Sequence, residues 1–298
     1  MFLGVSAIWG ASYLQIKIAL DGMNASLIVF VRVLLAAVIL YLLVRVRTDY
    51  ERAMQFGRRH LREVAVLGLL GITLPFMLIT YGETRISSGL TGILVAPGPL
   101  FAALLAPFLD PTEKVDRLGA IGLLIGFGGV VLLLGVDTVG DIGELLGGLA
   151  VLSAALCYAI GALYAKKWFI GPGVPPLVMS FFACAAAAVM TLPPAIVTLP
   201  SASPDLGEIA AVVTLGVVGT ALAFYLYYSL IAEAGASQAL LVGYMIPPTA
   251  LLYGAWLLDE EVSVAAIVGL ILILVGVALA SGRRAEDSTE PAPPPEPA

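Results

Sequence analysis

The chain of 298 residues is 60% hydrophobic and 12% charged, with one histidine and two cysteines. That composition excludes a soluble nucleic-acid binder, and neither a metal-ligand spacing nor a cysteine framework is present. The net charge of −6 says little about partners, because much of it lies in an acidic tail and in short connecting segments such as those of Asp137, Asp141, Asp205 and Asp259.

Apolar runs of about 18 residues or more read as membrane-spanning helices, since hydrocarbon offers no partner to a backbone N–H or C=O. Ten are predicted, over 2–20, 25–45, 63–82, 87–109, 118–136, 145–165, 175–198, 209–231, 236–257 and 263–281. Of the 15 basic residues, twelve fall in alternate connections. Arg45, Arg47, Arg52, Arg58, Arg59 and Arg62 lie between the second and third spans. Lys114 and Arg117 follow the fourth, Lys166 and Lys167 the sixth, and Arg283 and Arg284 the tenth. The opposite connections carry only Arg85. The positive excess marks the cytoplasmic side, so both termini are expected there and the chain is expected in a cell (inner or plasma) membrane. Span 1 lacks a basic leader and a cleavage site, so it is expected to be retained. The Pro-rich acidic stretch 283–298 is expected to be a disordered cytoplasmic tail.

Shifted by 148 positions, the sequence aligns with itself. Gly68, Gly71, Leu74 and Phe76 fall on Gly216, Gly219, Leu222 and Phe224, Pro99 falls on Pro247, and Glu113 on Glu261. Two repeats follow, 2–136 (spans 1–5) and 145–281 (spans 6–10). An odd number of spans per repeat inverts the second relative to the first, and inverted repeats are the architecture of alternating-access transporters. The expected fold is an all-α membrane protein: ten transmembrane helices as two inverted five-helix repeats around a central cavity.

The stretches "AIWGASYLQIKIAL", "LTGILVAPGPLFAALLAPFLDPTEK" and "GLLIGFGGVVLLLG", and in the second half "LGVVGTALAFYLYYSLIAEAGASQALLVGYMIPPTALLYGAWLLDEEVSVAAIVGLILILVGVALASG", resemble EamA-type members of the drug/metabolite transporter superfamily. The resemblance covers about residues 2–281. It implies a ten-helix bundle with a central cavity that moves metabolites, often outward. Substrate does not transfer with it, because the substrates of such proteins vary widely.

Helical phasing at about 100° per residue sorts the polar residues into stripes. Ser6, Trp9, Tyr13 and Lys17 share a face of span 1; Thr73, Met77 and Thr80, flanked by Tyr81, share one of span 3. Ser153, Cys157 and Tyr164 do so in span 6, beside Tyr158; Thr220, Phe224, Tyr227 and Tyr228 in span 8; Gln238, Met245 and Thr249 in span 9. Ordinary interhelical hydrogen bonding explains such stripes as well as cavity lining does. Spans 5 and 10 carry little beyond glycines and read as peripheral packing helices, with Gly122 and Gly126 allowing close approach.

Pro97 and Pro99 in span 4, and Pro247 and Pro248 in span 9, are expected to break both helices at matching places, around a midplane site. Lys17 and Arg32 are the basic residues within spans; they either snorkel to the surface or face the cavity to attract a carboxylate. No Asp or Glu is expected at depth, Glu83 and Glu233 being at span ends, which disfavours exchange of cationic drugs for protons. Expected cavity residues are therefore Trp9, Tyr13, Lys17, Arg32, Thr80, Tyr81, Tyr158, Tyr164, Thr220, Tyr228, Gln238 and Tyr244. Tyr244 phases away from Gln238 unless a proline kink rotates its segment.

The leading expectation is a secondary transporter of small metabolites, amino acids or similar amphipathic or zwitterionic compounds, working by alternating access with export as the expected direction. The alternative is a passive channel or facilitator, which the lack of an obvious proton relay favours. An intramembrane enzyme would need a nucleophile with a base, or metal ligands, at depth, and the lone His60 lies in a loop. No cofactor or metal is expected; the lipid bilayer and a small-molecule substrate are the expected partners, with no nucleic acid.

Overall fold

The structure, a computed structural model, describes residues 2–109, 115–136, 141–169, 175–198, 203–234 and 236–287, and these are helical throughout with short connections. The elements are α1 (Phe2–Leu20), α2 (Ala25–Arg47), α3 (Tyr50–Arg59), α4 (Leu61–Gly68), α5 (Leu74–Glu83), α6 (Ser88–Val95), α7 (Gly98–Leu109) and α8 (Arg117–Val136). They continue with α9 (Ile142–Phe169), α10 (Pro176–Val197), α11 (Leu206–Gly216), α12 (Ala223–Ala234), α13 (Ala236–Leu257) and α14 (Val264–Asp287). Two π-helical segments, Leu69–Thr73 and Val217–Leu222, join α4 to α5 and α11 to α12 without a turn. Among the described residues, 8 helical stretches are long and apolar enough to cross a bilayer, and Val264–Ala280 is a shorter apolar one. The 22-residue α13 adds a further helix, whose first turns hold side chains outside the described ones.

Capping residues set where the helices begin. Asn24, Asp49 and Ser87 accept from the backbone N–H three positions on, at 3.0, 3.1 and 3.2 Å. Asp205 and Glu208 form a reciprocal capping box at the start of α11, at 2.9 and 2.8 Å. Each such bond satisfies one of the N–H groups a helix leaves unpaired.

The connections sort into two ends. The turn after α1 meets the end of α10, where Asn24 donates to the Thr198 carbonyl and Thr198 Oγ1 donates back to Asn24 Oδ1 at 3.2 Å. At the same end, Glu260 meets the start of α6 and Arg85 lies against Gly143 at the start of α9. The other end holds α3, whose Gly57 sits against Phe182 and whose Tyr50 ring meets Tyr41 of α2. Arg45, Arg47, Arg52, Arg58, Arg59, His60 and Arg62 are exposed there.

Packing pairs the two halves. α2 lies along α10, and α8 along α14. α1 packs on α11 and α13, while α9 packs on α5, α6 and α7. α11 with its π segment rests on α2, as α4 with its own rests on α10. Three larger buried clusters hold the bundle, centred on Leu40 and Cys184, on Ile93 and Ile273, and on Ile16 and Leu215. Outward faces stay apolar and exposed, as at Leu124 (76%) and Val131 (70%), which suits lipid rather than water.

Three expectations change. Pro97 and Pro99 do interrupt the helix between α6 and α7, but α13 runs without interruption through Pro247 and Pro248. Each proline withholds one N–H, from the Gly243 and Tyr244 carbonyls, and the helical backbone continues past both losses. The tail begins later than 283, because α14 continues to Asp287: Arg, Ala and Glu support helix, and the first helix-breaking residue is Pro291. Residues 288–298 lie outside the described ones. A regular helix expected over 63–82 instead contains the π segment Leu69–Thr73.

The seam between α8 and α14 depends on glycine. A Cβ at Gly122 would lie 2.7 Å from both the Ala280 nitrogen and the Gly276 oxygen, whereas one at Gly128 would meet nothing within 4 Å. Gly122→Leu should therefore lower the unfolding temperature in detergent, overpacking costing about 1–3 kcal/mol, while Gly128→Leu leaves it unchanged. Thermal unfolding of both variants checks this; equal behaviour contradicts the seam.

Candidate substrate site

The polar stripe of α1 meets several other helices. The Trp9 ring packs tilted on Tyr227, with centroids 5.1 Å apart, and edge-on to Phe224 at 6.0 Å, tying α1 to α12. Gly10 sits against Thr249 of α13, and Tyr13 is buried beside Gly92 of α6. One turn on, Lys17 Nζ donates to the Glu83 carbonyl at 2.8 Å and the Ile86 carbonyl at 2.9 Å. A lysine from one helix thus supplies donors to the last carbonyl of α5 and to one in the α5–α6 connection.

Arg32 does not snorkel. It sits at the eighth position of the 23-residue α2 with 4% of its surface exposed. Its guanidinium carbon lies 3.9 Å from the centre of the Phe76 ring, and Nε donates to Thr220 Oγ1 at 2.7 Å. The ring face and the hydroxyl both offer negative potential to the cation. Thr220 Oγ1 in turn donates to the Leu215 carbonyl, five residues back, at 2.9 Å. The second π segment therefore presents the hydroxyl that Arg32 uses, the kind of role in which π-bulges recur.

Glu83 stands at the end of its span, where the sequence placed it, but it is shut away from solvent. It ends α5, yet none of its surface is exposed. Both carboxylate oxygens, and the Thr80 hydroxyl one turn earlier on the same face, are buried without a hydrogen-bond partner. The charges acting on Glu83 are those of Lys17, Glu260 and Arg32, and Tyr13 feels Glu83, Arg32 and Tyr158. Position in sequence suggested a water-exposed helix end; burial comes from packing of α5 against α9, α1, α2 and α6. The one local hint is Gly82, which meets Gly147 of α9 so closely that a Cβ would sit 2.9 Å from the Gly147 oxygen.

Above this buried group opens a cavity of about 620 Å³, within the range of small-molecule sites. Lys17, Arg85, Ser87, Glu144, Glu260 and Glu261 line it with charges of both signs. Glu260 is committed to the start of α6, accepting from Ser88 N at 2.8 Å, Ser88 Oγ at 2.9 Å and Gly89 N at 2.9 Å. That arrangement is a helix N-terminus capped by a carboxylate from the α13–α14 connection.

Of the residues singled out from sequence, the structure brings Tyr13, Lys17, Arg32, Thr80, Tyr158 and Thr220 into one neighbourhood with Glu83, and puts Trp9 on the same face of α1. Tyr81 stands apart, 40% exposed with the Arg85 guanidinium carbon 5.5 Å from its ring centre, because Thr80 and Glu83 occupy the inner face of α5. Tyr164 packs in the Leu40–Cys184 cluster and feels Glu63, near the α3–α4 end. Tyr244 packs with Ile93 and Ile273 at α6 and α14. The side chains of Tyr228 and Gln238 lie outside the described residues.

Comparison with known proteins fits this architecture. The model of the EamA-like transporter family matches residues 1–135 and again 145–282. The chain is 26% identical over 279 residues to the "Uncharacterized transporter YoaV" of Bacillus subtilis (strain 168), covering 92% of this chain and 93% of that protein. It is 25% identical over 258 residues to the "Uncharacterized inner membrane transporter YedA" of Escherichia coli (strain K12), covering 86% and 81%. A crystal structure of another protein superposes with a TM-score of 0.64 at 21% identity, over 96% of this chain and 97% of that one, a likeness of fold alone. The chain belongs to the EamA-like transporter family and is a multi-pass membrane transporter.

Proposed function

We propose that the protein is a secondary transporter working by alternating access, with ten transmembrane helices arranged as two inverted five-helix repeats, 2–136 and 145–281. The observation that carries this reading is the correspondence of the π segments. They begin at Leu69 and Val217, the same 148-residue offset that aligns the two halves in sequence. The contacts support the same exchange of halves: α1 on α13 and on α11, α12 and the π segment between them mirrors α9 on α6 and α7 and on α4, α5 and the π segment between them, and α2–α10 and α8–α14 are self-paired. Two interchangeable halves are what alternating access requires, because each can adopt the other's conformation. The two ranges of the family match support the same division.

The substrate proposed is a small amphipathic or zwitterionic metabolite such as an amino acid, with export the proposed direction. The mixed charges of the cavity at Lys17, Arg85 and Glu144 suit a zwitterion, and Ile86, Leu90 and Leu251 give it apolar wall, while Trp9, Tyr13 and Tyr158 pack in the bundle outside this lining. We assign the cavity end to the outside and α3 to the cytoplasm, since the exposed arginines cluster at α3.

Two outcomes follow. In a background with Cys157 and Cys184 replaced, Gln55→Cys should be blocked by a cytoplasmic thiol reagent and Asp141→Cys by an external one; labelling of both from one side contradicts the topology. In proteoliposomes preloaded with an unlabelled mixture of the twenty amino acids, the wild type should accumulate the labelled mixture by counterflow. Trp9→Ala and Arg32→Gln should each reduce that flux about tenfold or more, the equivalent of losing about 1.4 kcal/mol, at unchanged protein content. Counterflow separates a carrier from a channel, which passes solute without exchange acceleration. Undiminished flux in both variants contradicts the site.

A further inference from the structure

Among the described residues, three buried side-chain oxygens lack any hydrogen-bond partner: Thr80 Oγ1, Glu83 Oε1 and Glu83 Oε2. All three lie on one face of α5, in the part of the bundle next to the charged cavity. A carboxylate held there as an anion would be desolvated and unpaired, which low-dielectric surroundings penalise heavily. An ammonium is nevertheless at hand. Lys17 Nζ bonds to the main-chain oxygen of Glu83 itself, and to that of Ile86, rather than to the carboxylate. The lysine is thus positioned as though the acid beside it were neutral.

We propose that Glu83 is a proton-binding site fed from the cavity, and that its protonation drives transport by moving Lys17. With Glu83 protonated, Lys17 caps α5 as observed. When the carboxyl O–H gives its proton to cavity water, the anion takes Lys17 as its counterion and the ammonium leaves the Glu83 and Ile86 carbonyls. That transfer shifts α1, which carries Trp9 and Tyr13, against the end of α5. Every charged or titratable group around Glu83 is compatible with this switch. Arg32 of α2 is engaged with Phe76 and Thr220. Glu260, from the α13–α14 connection, is engaged with the start of α6. Tyr13 of α1 and Tyr158 of α9 complete the surroundings. Lys17 both lines the cavity and touches Glu83. The inference rests on the transporter reading and supplies the proton coupling that the sequence did not suggest.

Two arms test it. Wild-type protein in liposomes is treated with dicyclohexylcarbodiimide, which adds to protonated carboxyls in apolar surroundings, across a pH series and mapped by mass spectrometry. An adduct at Glu83 that declines as pH rises, and exceeds those at Glu144 and Glu261, is expected. In the second arm, flux of the labelled amino-acid mixture is compared with and without an imposed pH gradient. The ratio should exceed unity in the wild type and fall to unity in Glu83→Gln, whatever the absolute flux. Absence of a Glu83 adduct at every pH overturns the proposal, as does an unchanged gradient response in Glu83→Gln. The first arm decides on wild-type protein if the variant fails to fold. Wild-type protein that forms the adduct but shows neither counterflow nor gradient-driven flux leaves the proton site standing and counts against amino-acid transport.

Discussion

Hydrocarbon supplies no hydrogen bonds, so every polar group placed inside this bundle has to find its partner in the protein. Helix satisfies the backbone, and the irregularities that remain are met by side chains from elsewhere. Lys17 reaches from α1 to the carbonyls ending α5, Glu260 reaches to the N–H groups opening α6, and Thr220 returns a hydrogen bond to the carbonyl left by its own π segment. Each of these links elements far apart in sequence or spans a helical irregularity. The same contacts therefore satisfy the backbone and fix how the helices sit around the site. Among the described residues, Glu83 and Thr80 are the exception, and an unmet demand of this kind is costly enough to point toward function.

Glycine supplies the complementary constraint. Without a hydrophobic drive between helices in lipid, association depends on close packing. α8 and α14 approach until Gly122 and Gly276 lie against each other's backbones, and Gly82 meets Gly147 between α5 and α9. The second contact is the more consequential, because it brings α9 over the end of α5 and helps to bury Glu83. Packing that looks merely structural thereby sets the environment of Glu83, the one buried acid among the described residues.

Much of the helix pattern was legible in sequence, because apolar runs of fixed length have few alternatives in a membrane. α2 and α10 begin and end within a few residues of the runs 25–45 and 175–198. The polar stripe of α1 was legible too, since 3.6-residue phasing survives in a straight helix. The π segments were not: "LLGIT" and "VVGTAL" carry no local signature, and only their matched glycines at Gly71 and Gly219 hinted that the register mattered. Pro247 and Pro248 misled because each proline removes a single N–H, and α13 continues past both. Glu83 misled in the opposite sense. A residue at a span end reads as solvated, and burial created by four other helices shows in sequence only through the neighbouring Gly82.

The central claim is that two equivalent halves exchange conformations so that the site opens to either end. Pulsed electron–electron resonance tests it directly, with one spin-label pair at Glu144 and Glu261 on the cavity end and another at Arg62 and Arg117 on the opposite end. Alternating access requires two populations in each distance distribution, with conditions that shorten one pair lengthening the other. A single unmoving distance in both pairs, or both pairs widening together, would identify a static bundle or an open pore and contradict the account.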